Sequence, residues 1–182
     1  MARIQFRILL SVFLMVSSAF AVLAREPFTL DSVRAQVRQD YGSVEHLSAD
    51  ALAGKLQLGN VLLIDVREGP EYEVSRIAGA KRADPGMWRS TFMEKFGGLV
   101  KGKSVIFYCS VGVRSSQLAK GVQSALKERG ALDVYNLDGG VFGWHNDKRP
   151  LVDATGATDF VHPYDSYWGK LLDRRNKTRN SP

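Results

Sequence analysis

The run Ser104 to Gln117, SVIFYCSVGVRSSQ, constrains this chain more than any other stretch, because it fixes the only cysteine at a junction between two elements. Val105, Ile106, Phe107 and Tyr108 are β-branched or aromatic with no polar break, the pattern of a strand buried in a parallel sheet. Cys109 closes that strand. Gly112 permits a tight backbone path, and from Ser115 onward Leu118, Val122 and Leu126 recur on one helical face. Gly130 then supplies the helix end. A strand that passes through a short loop into a helix leaves several backbone N–H groups without intrahelical partners, directed at the centre of the loop. The sulfur of Cys109 is expected at that centre. An anion carried on it is stabilised by the donors and by the positive end of the helix dipole.

At 182 residues, 45% of them hydrophobic, the chain is long enough for one core with extensions. Its net charge of +6 is concentrated at the ends, in Arg3 and Arg7 and in Lys170, Arg174, Arg175, Lys177 and Arg179. Basic residues interleaved with aromatics along one folded face are not found, so the end reads as a solvated basic tail and no nucleic-acid partner is expected. Met1 to Ala24 reads as a signal peptide: Arg3 and Arg7 form a positive n-region, Ile8 to Val16 an apolar h-region, and Ala19, Ala21 and Ala24 offer small residues for cleavage. The apolar stretch from Ile8 to Leu23 falls short of the ~20 residues of a spanning helix. Cleavage, no stable membrane insertion after it, and a periplasmic or secreted location are therefore expected. Exported chains normally use cysteines in pairs, so a lone Cys109 set in such a loop reads as a reactive group.

Along the chain, Thr29 or Asp31 caps a helix running to about Tyr41, Val44 to Ser48 reads as a short strand, and Ser48 or Asp50 caps a helix through Leu56. After the Gly59-Asn60 turn, Val61 to Ile64 is an apolar run expected at the centre of the sheet. Asp65 and Arg67 follow at the strand end where open parallel sheets bind ligands, and read as a supporting ion pair with Glu71 a further partner for Arg67. Phe92, Met93 and Phe96 read as core. Gly97 to Ser104 satisfies the letter of a phosphate-binding loop, but Lys103-Ser104 leads into a strand rather than a helix, so nucleotide binding is not expected. His46, His145 and His162 lack metal-ligand spacing, so neither a metal nor a cofactor is expected. Leu132 to Leu137 forms another strand, Trp144 anchors the core, and His145 reads as a surface residue. The aromatics of Phe160 to Tyr164 and of Tyr167-Trp168 are expected to fold back on the domain, with disorder from about Asn176.

Cys109-x-x-x-x-Arg114 followed by Ser115 resembles the active-site loop of the rhodanese family. Further landmarks agree with it in order. Leu62 to Glu68 with Glu71-Tyr72 resembles the family's first signature, Arg76 to Ala80 its second, and Leu137-Asp138-Gly139-Gly140 with Trp144 and Pro150 its closing motif. The resemblance implies an α/β fold, a central parallel sheet flanked by helices in a single domain over 47–153. The leader at 1–24, a helical extension at 25–46 and a C-terminal extension at 154–182 surround it. It also implies a sulfurtransferase that moves sulfane sulfur from a donor such as thiosulfate to a thiol or cyanide acceptor, or to a protein acceptor, through a Cys109 persulfide. Ser110, Val111, Gly112, Val113, Arg114 and Ser115 would then supply the backbone cradle that binds substrate, with Arg114 anchoring either the donor anion or the loop, and Trp88 or Arg89 would line the mouth of the site. Related phosphatases and arsenate reductases place five residues between cysteine and arginine, where this chain has four, and the smaller cradle suits a single sulfur atom. Val111 and Val113 offer no charge to attract thiosulfate, which supports an alternative: a persulfide carrier or redox-sensing interaction module with little turnover.

Overall fold

The computed structural model describes residues 27–182, so the expected signal peptide lies outside the described residues. The elements run α1 (Leu30–Asp40), β1 (Glu45–Leu47), α2 (Ala49–Leu58), β2 (Val61–Asp65), α3 (Gly69–Val74), β3 (Lys81–Arg82), α4 (Arg89–Phe96), β4 (Ser104–Tyr108), α5 (Val113–Glu128), β5 (Asp133–Leu137) and α6 (Gly140–Asn146). A short hairpin of β6 (Leu151–Val152) and β7 (Ala157–Thr158) follows. Thr29 is the cap of α1, accepting from the Ser32 N–H, and Ser48 caps α2 by accepting from the Ala51 N–H.

Five strands form one parallel sheet in the order β1-β5-β4-β2-β3, and helices cover both faces. β4 holds the centre, every one of its residues buried. Val61 to Ile64, expected there, lies one place outward, because the two-residue strand β3 completes the sheet beyond it. The alternation of β4 divides the core. Val105 and Phe107 face α4 and α5, packing with Phe92, Phe96, Leu118, Val122 and Leu126, while Ile106 and Tyr108 join Val37, Leu52, Phe142 and Trp144 on the other side. Each large apolar side chain buried in this way contributes about 1.5–3 kcal/mol.

α5 begins at Val113, two residues before the expected Ser115. Gly112 has φ +103°, a conformation that turns the chain within one residue, and its carbonyl already accepts from the Ser116 N–H at 3.1 Å. No helix follows Lys103-Ser104, which enters β4, so the phosphate-loop pattern has no helix N-terminus to work with.

The C-terminal extension is a fixed strap. Val161 bridges Thr178, and Val161, Leu171 and Leu172 are buried. Arg174 and Lys177 pair with Asp159 at 3.2 and 3.4 Å, and Arg179 with Asp153 at 3.0 Å. Three expectations are corrected here. The chain beyond Asn176 is held in place through Arg179, whose N–H donates to the Val161 carbonyl at 3.2 Å and whose guanidinium pairs with Asp153. The basic residues nearest the end face carboxylates rather than solvent alone. His145, expected at the surface, is buried, its Nε2 3.0 Å from the Asp159 carbonyl, because α6 is covered by this same strap. Among the described residues, no helix is long and apolar enough to cross a membrane.

Candidate functional site

Cys109 follows β4 directly and is 1% exposed. Its Sγ accepts a hydrogen bond from the Gly112 N–H at 3.2 Å, so the loop folds its backbone around the sulfur. A Cβ at Gly112 would stand 3.0 Å from Asn136 Nδ2, in a conformation that side chains rarely adopt. The loop is propped from below by the turn into α6. Val141 N–H donates to the Cys109 carbonyl at 2.9 Å and Phe142 N–H to the Ser110 carbonyl at 3.0 Å. Gly140 (φ +57°) makes this approach possible, since a Cβ on it would collide with both carbonyls, 2.6 Å from that of Ser110. Leu137-Asp138-Gly139-Gly140 thus acts as the support of the cysteine loop. Ser115 is placed differently from the cradle residue expected: its hydroxyl donates to Asn136 Oδ1 at 2.6 Å in the core, fixing the first turn of α5 rather than facing the pocket.

One wall of the site is a closed network of charge. Arg114 donates to both oxygens of Glu71 at 2.8 Å and to Ser110 Oγ at 3.0 Å, while the Ser110 hydroxyl donates to Glu71 Oε1 at 2.7 Å. Burial pushes the Glu71 carboxyl up, but the hydrogen bonds and charge of Arg114, the Ser110 hydroxyl and the Arg67 charge outweigh it, and the net shift is downward. Burial likewise disfavours the Arg114 cation, and the Glu71 hydrogen bonds and the negative charge of a Cys109 anion overcome this to hold it charged. Arg114 therefore anchors the loop, the second of its two expected roles.

Asp65 and Arg67 form the supporting pair that the sequence suggests, with a changed partner set. Two hydrogen bonds of 2.8 and 2.6 Å join them, both side chains are 0% exposed, and Arg67 also donates to the Ser75 carbonyl at 2.6 Å. Glu71, expected beside Arg67, is instead bonded to Arg114 and Ser110, because the cysteine loop brings those two donors closer. The pair braces the end of β2 against the C-terminal end of α3 and does not enter the pocket.

Two residues that sequence reasoning did not place complete the site. Over Cys109 lies a cavity of about 140 Å³ whose walls are Ser110, Val111, Val113 and Arg114 and whose roof is Tyr164 and Trp168. Tyr164 has φ +67°, its N–H donating to His162 Nδ1 at 2.9 Å, and the Asp165 carboxylate accepts from the Tyr167 and Trp168 N–H groups at 2.8 Å. His162 Nδ1 must be free of a proton to accept that bond, and burial lowers its pKa accordingly. Phe28 packs its ring 4.3 Å from Tyr167 and 5.7 Å from Trp168, so the start of the described chain packs against the C-terminal extension. The density of aromatics after Phe160 was the available signal, and it told of packing without location. Trp88, by contrast, is 82% exposed beside α4, and Arg89 lines a separate surface groove with Gln117, so neither stands at the mouth. Among the described residues, no group of three or more His, Cys, Asp and Glu is placed to hold a metal ion.

The family model for the rhodanese-like domain matches residues 48–147, more than half of the chain. The chain belongs to the rhodanese family. The matched stretch takes in Cys109, Glu71, Arg114 and Gly140 but neither Phe28, Tyr164 nor Trp168. Among curated proteins, this rhodanese-family chain is 28% identical over 103 residues to the thiosulfate sulfurtransferase GlpE of Shewanella oneidensis, 57% of this chain and 94% of that one. It is 29% identical over 105 residues to the tRNA uridine(34) hydroxylase of Bacillus velezensis, of which it spans only 31%. The thiosulfate sulfurtransferase of Pseudomonas aeruginosa shares the fold, with a TM-score of 0.54 at 18% identity over 69% of this chain and 23% of that one.

Proposed function

We propose that this rhodanese-family chain is a sulfurtransferase that carries sulfur on Cys109. The Gly112 N–H bonded to Sγ, at the end of a central strand and the start of α5, supports this reading most directly. In the first half-reaction the Cys109 thiolate attacks the outer sulfur of a donor such as thiosulfate. The new Sγ–S bond forms as the donor's own S–S bond breaks, and its electron pair leaves on sulfite. In the second, a nucleophile such as cyanide or a thiolate takes the outer sulfur, and the bonding pair returns to Sγ as thiolate. Two half-reactions through one covalent intermediate give ping-pong kinetics.

The loop suits the anions of both halves. Sγ keeps its N–H donor, and the Arg114 charge stands beside it without being free to leave, because Glu71 holds it. A second reading, a persulfide carrier with slow turnover that passes sulfur to a protein acceptor, is favoured by that same engagement of Arg114, which leaves little charge to draw in an inorganic dianion. The signal pattern of Arg3, Arg7 and the apolar run from Ile8 to Val16 in the sequence supports export to the periplasm or outside the cell as part of this reading.

Intact mass after exposure to thiosulfate tests the main reading, beside Cys109→Ser. One added sulfur on the native protein alone, lost to cyanide as thiocyanate, is the expected result. Retention of sulfur by Cys109→Ser, or by neither protein with any sulfane donor, would overturn it. Slow but complete transfer to an acceptor protein would favour the carrier reading over rapid small-molecule turnover.

A further inference from the structure

The cavity above Cys109 takes its walls from the side chains of the cysteine loop and its roof from the C-terminal extension. Its volume of about 140 Å³ matches a void that accommodates one benzene-sized ring, and Val111, Val113, Tyr164 and Trp168 give it apolar walls on several sides. Its one cation is already committed. Arg114 is bonded to both Glu71 oxygens and to Ser110, and its guanidinium lies 4.8 Å from the centre of the Tyr164 ring, which covers it from above. With a thiolate on Cys109, the charges at the floor and wall are two anions against one cation. A dianionic donor entering there meets net negative charge and no unpaired cation among the walls.

The roof is held rigidly enough to select. Tyr164 is held in its left-handed conformation by His162, the Asp165 carboxylate ties down the Tyr167 and Trp168 N–H groups, and Phe28 packs tilted on Tyr167 and edge-on to Trp168. An aromatic or alkyl group in the cavity gains contact with preorganised rings at little entropic cost. A sulfonate bearing only oxygens gains nothing from them.

We propose that the substrate of this pocket is a singly charged organic sulfane-sulfur compound bearing an apolar group, selected over inorganic thiosulfate by Tyr164 and Trp168. The inference rests on the reading of Cys109 as the sulfur carrier and names the substrate class of that same site. Thiosulfonates and organic persulfides share this chemistry. For a thiosulfonate, the Cys109 thiolate attacks the terminal sulfur, the S–S bond to the sulfonyl group breaks, and its electron pair departs on the sulfinate. For a persulfide, the pair departs on the organic thiolate. No oxidant or reductant is needed in either case, and one negative charge leaves for each that arrives.

Benzenethiosulfonate and thiosulfate are matched probes, since one replaces a charged oxygen of the other by a ring. The experiment follows thiocyanate formation with cyanide as acceptor and compares kcat/KM for the two donors, each normalised to its uncatalysed reaction with cyanide. A preference of at least about tenfold for the aromatic donor is expected, the size of one good stacking contact. Trp168→Ala is expected to cut that ratio at least about fivefold, chiefly through KM of the aromatic donor, and Trp168→Phe to retain most of it. A normalised ratio near one in the native protein, or sulfur accepted from thiosulfate alone, overturns the inference and leaves the sulfurtransferase reading standing. A ratio unmoved by Trp168→Ala in a folded variant also overturns it. Sulfur taken up from neither donor overturns both.

Discussion

The floor and the roof of this site are built from different materials. The floor is backbone: an N–H aimed at sulfur, two carbonyls received by the N–H groups of α6, and glycines where any Cβ would collide. The roof is side chain: two rings lent by a segment that follows the domain, one of them, Trp168, packed against a third ring that precedes it. Backbone geometry holds one atom in one place and suits the chemical step common to a family. Rings define a volume and a polarity, which is what separates one chain's substrate from another's. The floor lies within the family match at 48–147 and the roof outside it.

Substitutions can break this division or sharpen it, and the floor should respond most. Gly140→Ala places a Cβ against the Cys109 and Ser110 carbonyls at a positive φ, and is expected to cost about 2–4 kcal/mol in denaturant unfolding while abolishing sulfur loading. Native loading in this variant would mean that α6 does not set the loop. Glu71→Gln comes next, with a loss of about 1–3 kcal/mol at pH 7 from a weakened buried network. Because the folded Glu71 carboxyl is held below its ordinary value of 4.5, its contribution is present above that pH and disappears as pH falls through the folded value. Unfolding midpoints measured from pH 7 down to pH 3 should therefore fall more steeply for the native protein than for Glu71→Gln. Parallel curves would contradict the assignment of that shift.

Changes to the roof should be smaller in stability and larger in selectivity. Tyr164→Gly relieves a left-handed backbone while removing a ring, so stability is expected to stay within about 1 kcal/mol while the preference for an aromatic donor drops. A wild-type donor ratio here would return Tyr164 to a packing role. Phe28→Ala, which touches the pocket only through Tyr167 and Trp168, should cost about 1 kcal/mol and loosen the ratio slightly. An effect equal to that of Trp168→Ala would place Phe28 inside the pocket instead of behind it.

The same division explains how much was legible in the sequence. Strand, cysteine, glycine and helix follow one another in the chain, so local rules place the sulfur at the start of α5, and the Asp138-Gly139-Gly140 turn is marked by its glycines. The supporting Asp65–Arg67 pair was legible because the two residues are nearly adjacent. Glu71 as partner of Arg114 was not, since the bond spans 43 positions and depends on how α3 meets the loop. Tyr164 and Trp168 reach Cys109 only after the hairpin of β6 and β7 turns the chain back, and nothing in their own spacing encodes that return. The position of β2 was misjudged for a related reason, as strand order is decided by which neighbours complete the sheet rather than by the hydrophobicity of one run.

The depth of Cys109 also decides what it can meet. A disulfide between two protein chains needs Cα atoms within about 7 Å of each other. A sulfur that is 1% exposed beneath Tyr164 and Trp168 denies that approach to a second copy of this chain and to any folded thiol protein that leaves the roof shut. Only one cysteine is present, so no neighbour within the chain can trap it either. The pocket therefore sets a size limit at the sulfur: its cavity of about 140 Å³ has room for a small molecule, whereas cross-linking to a second copy of the chain is sterically closed while the roof stays in place.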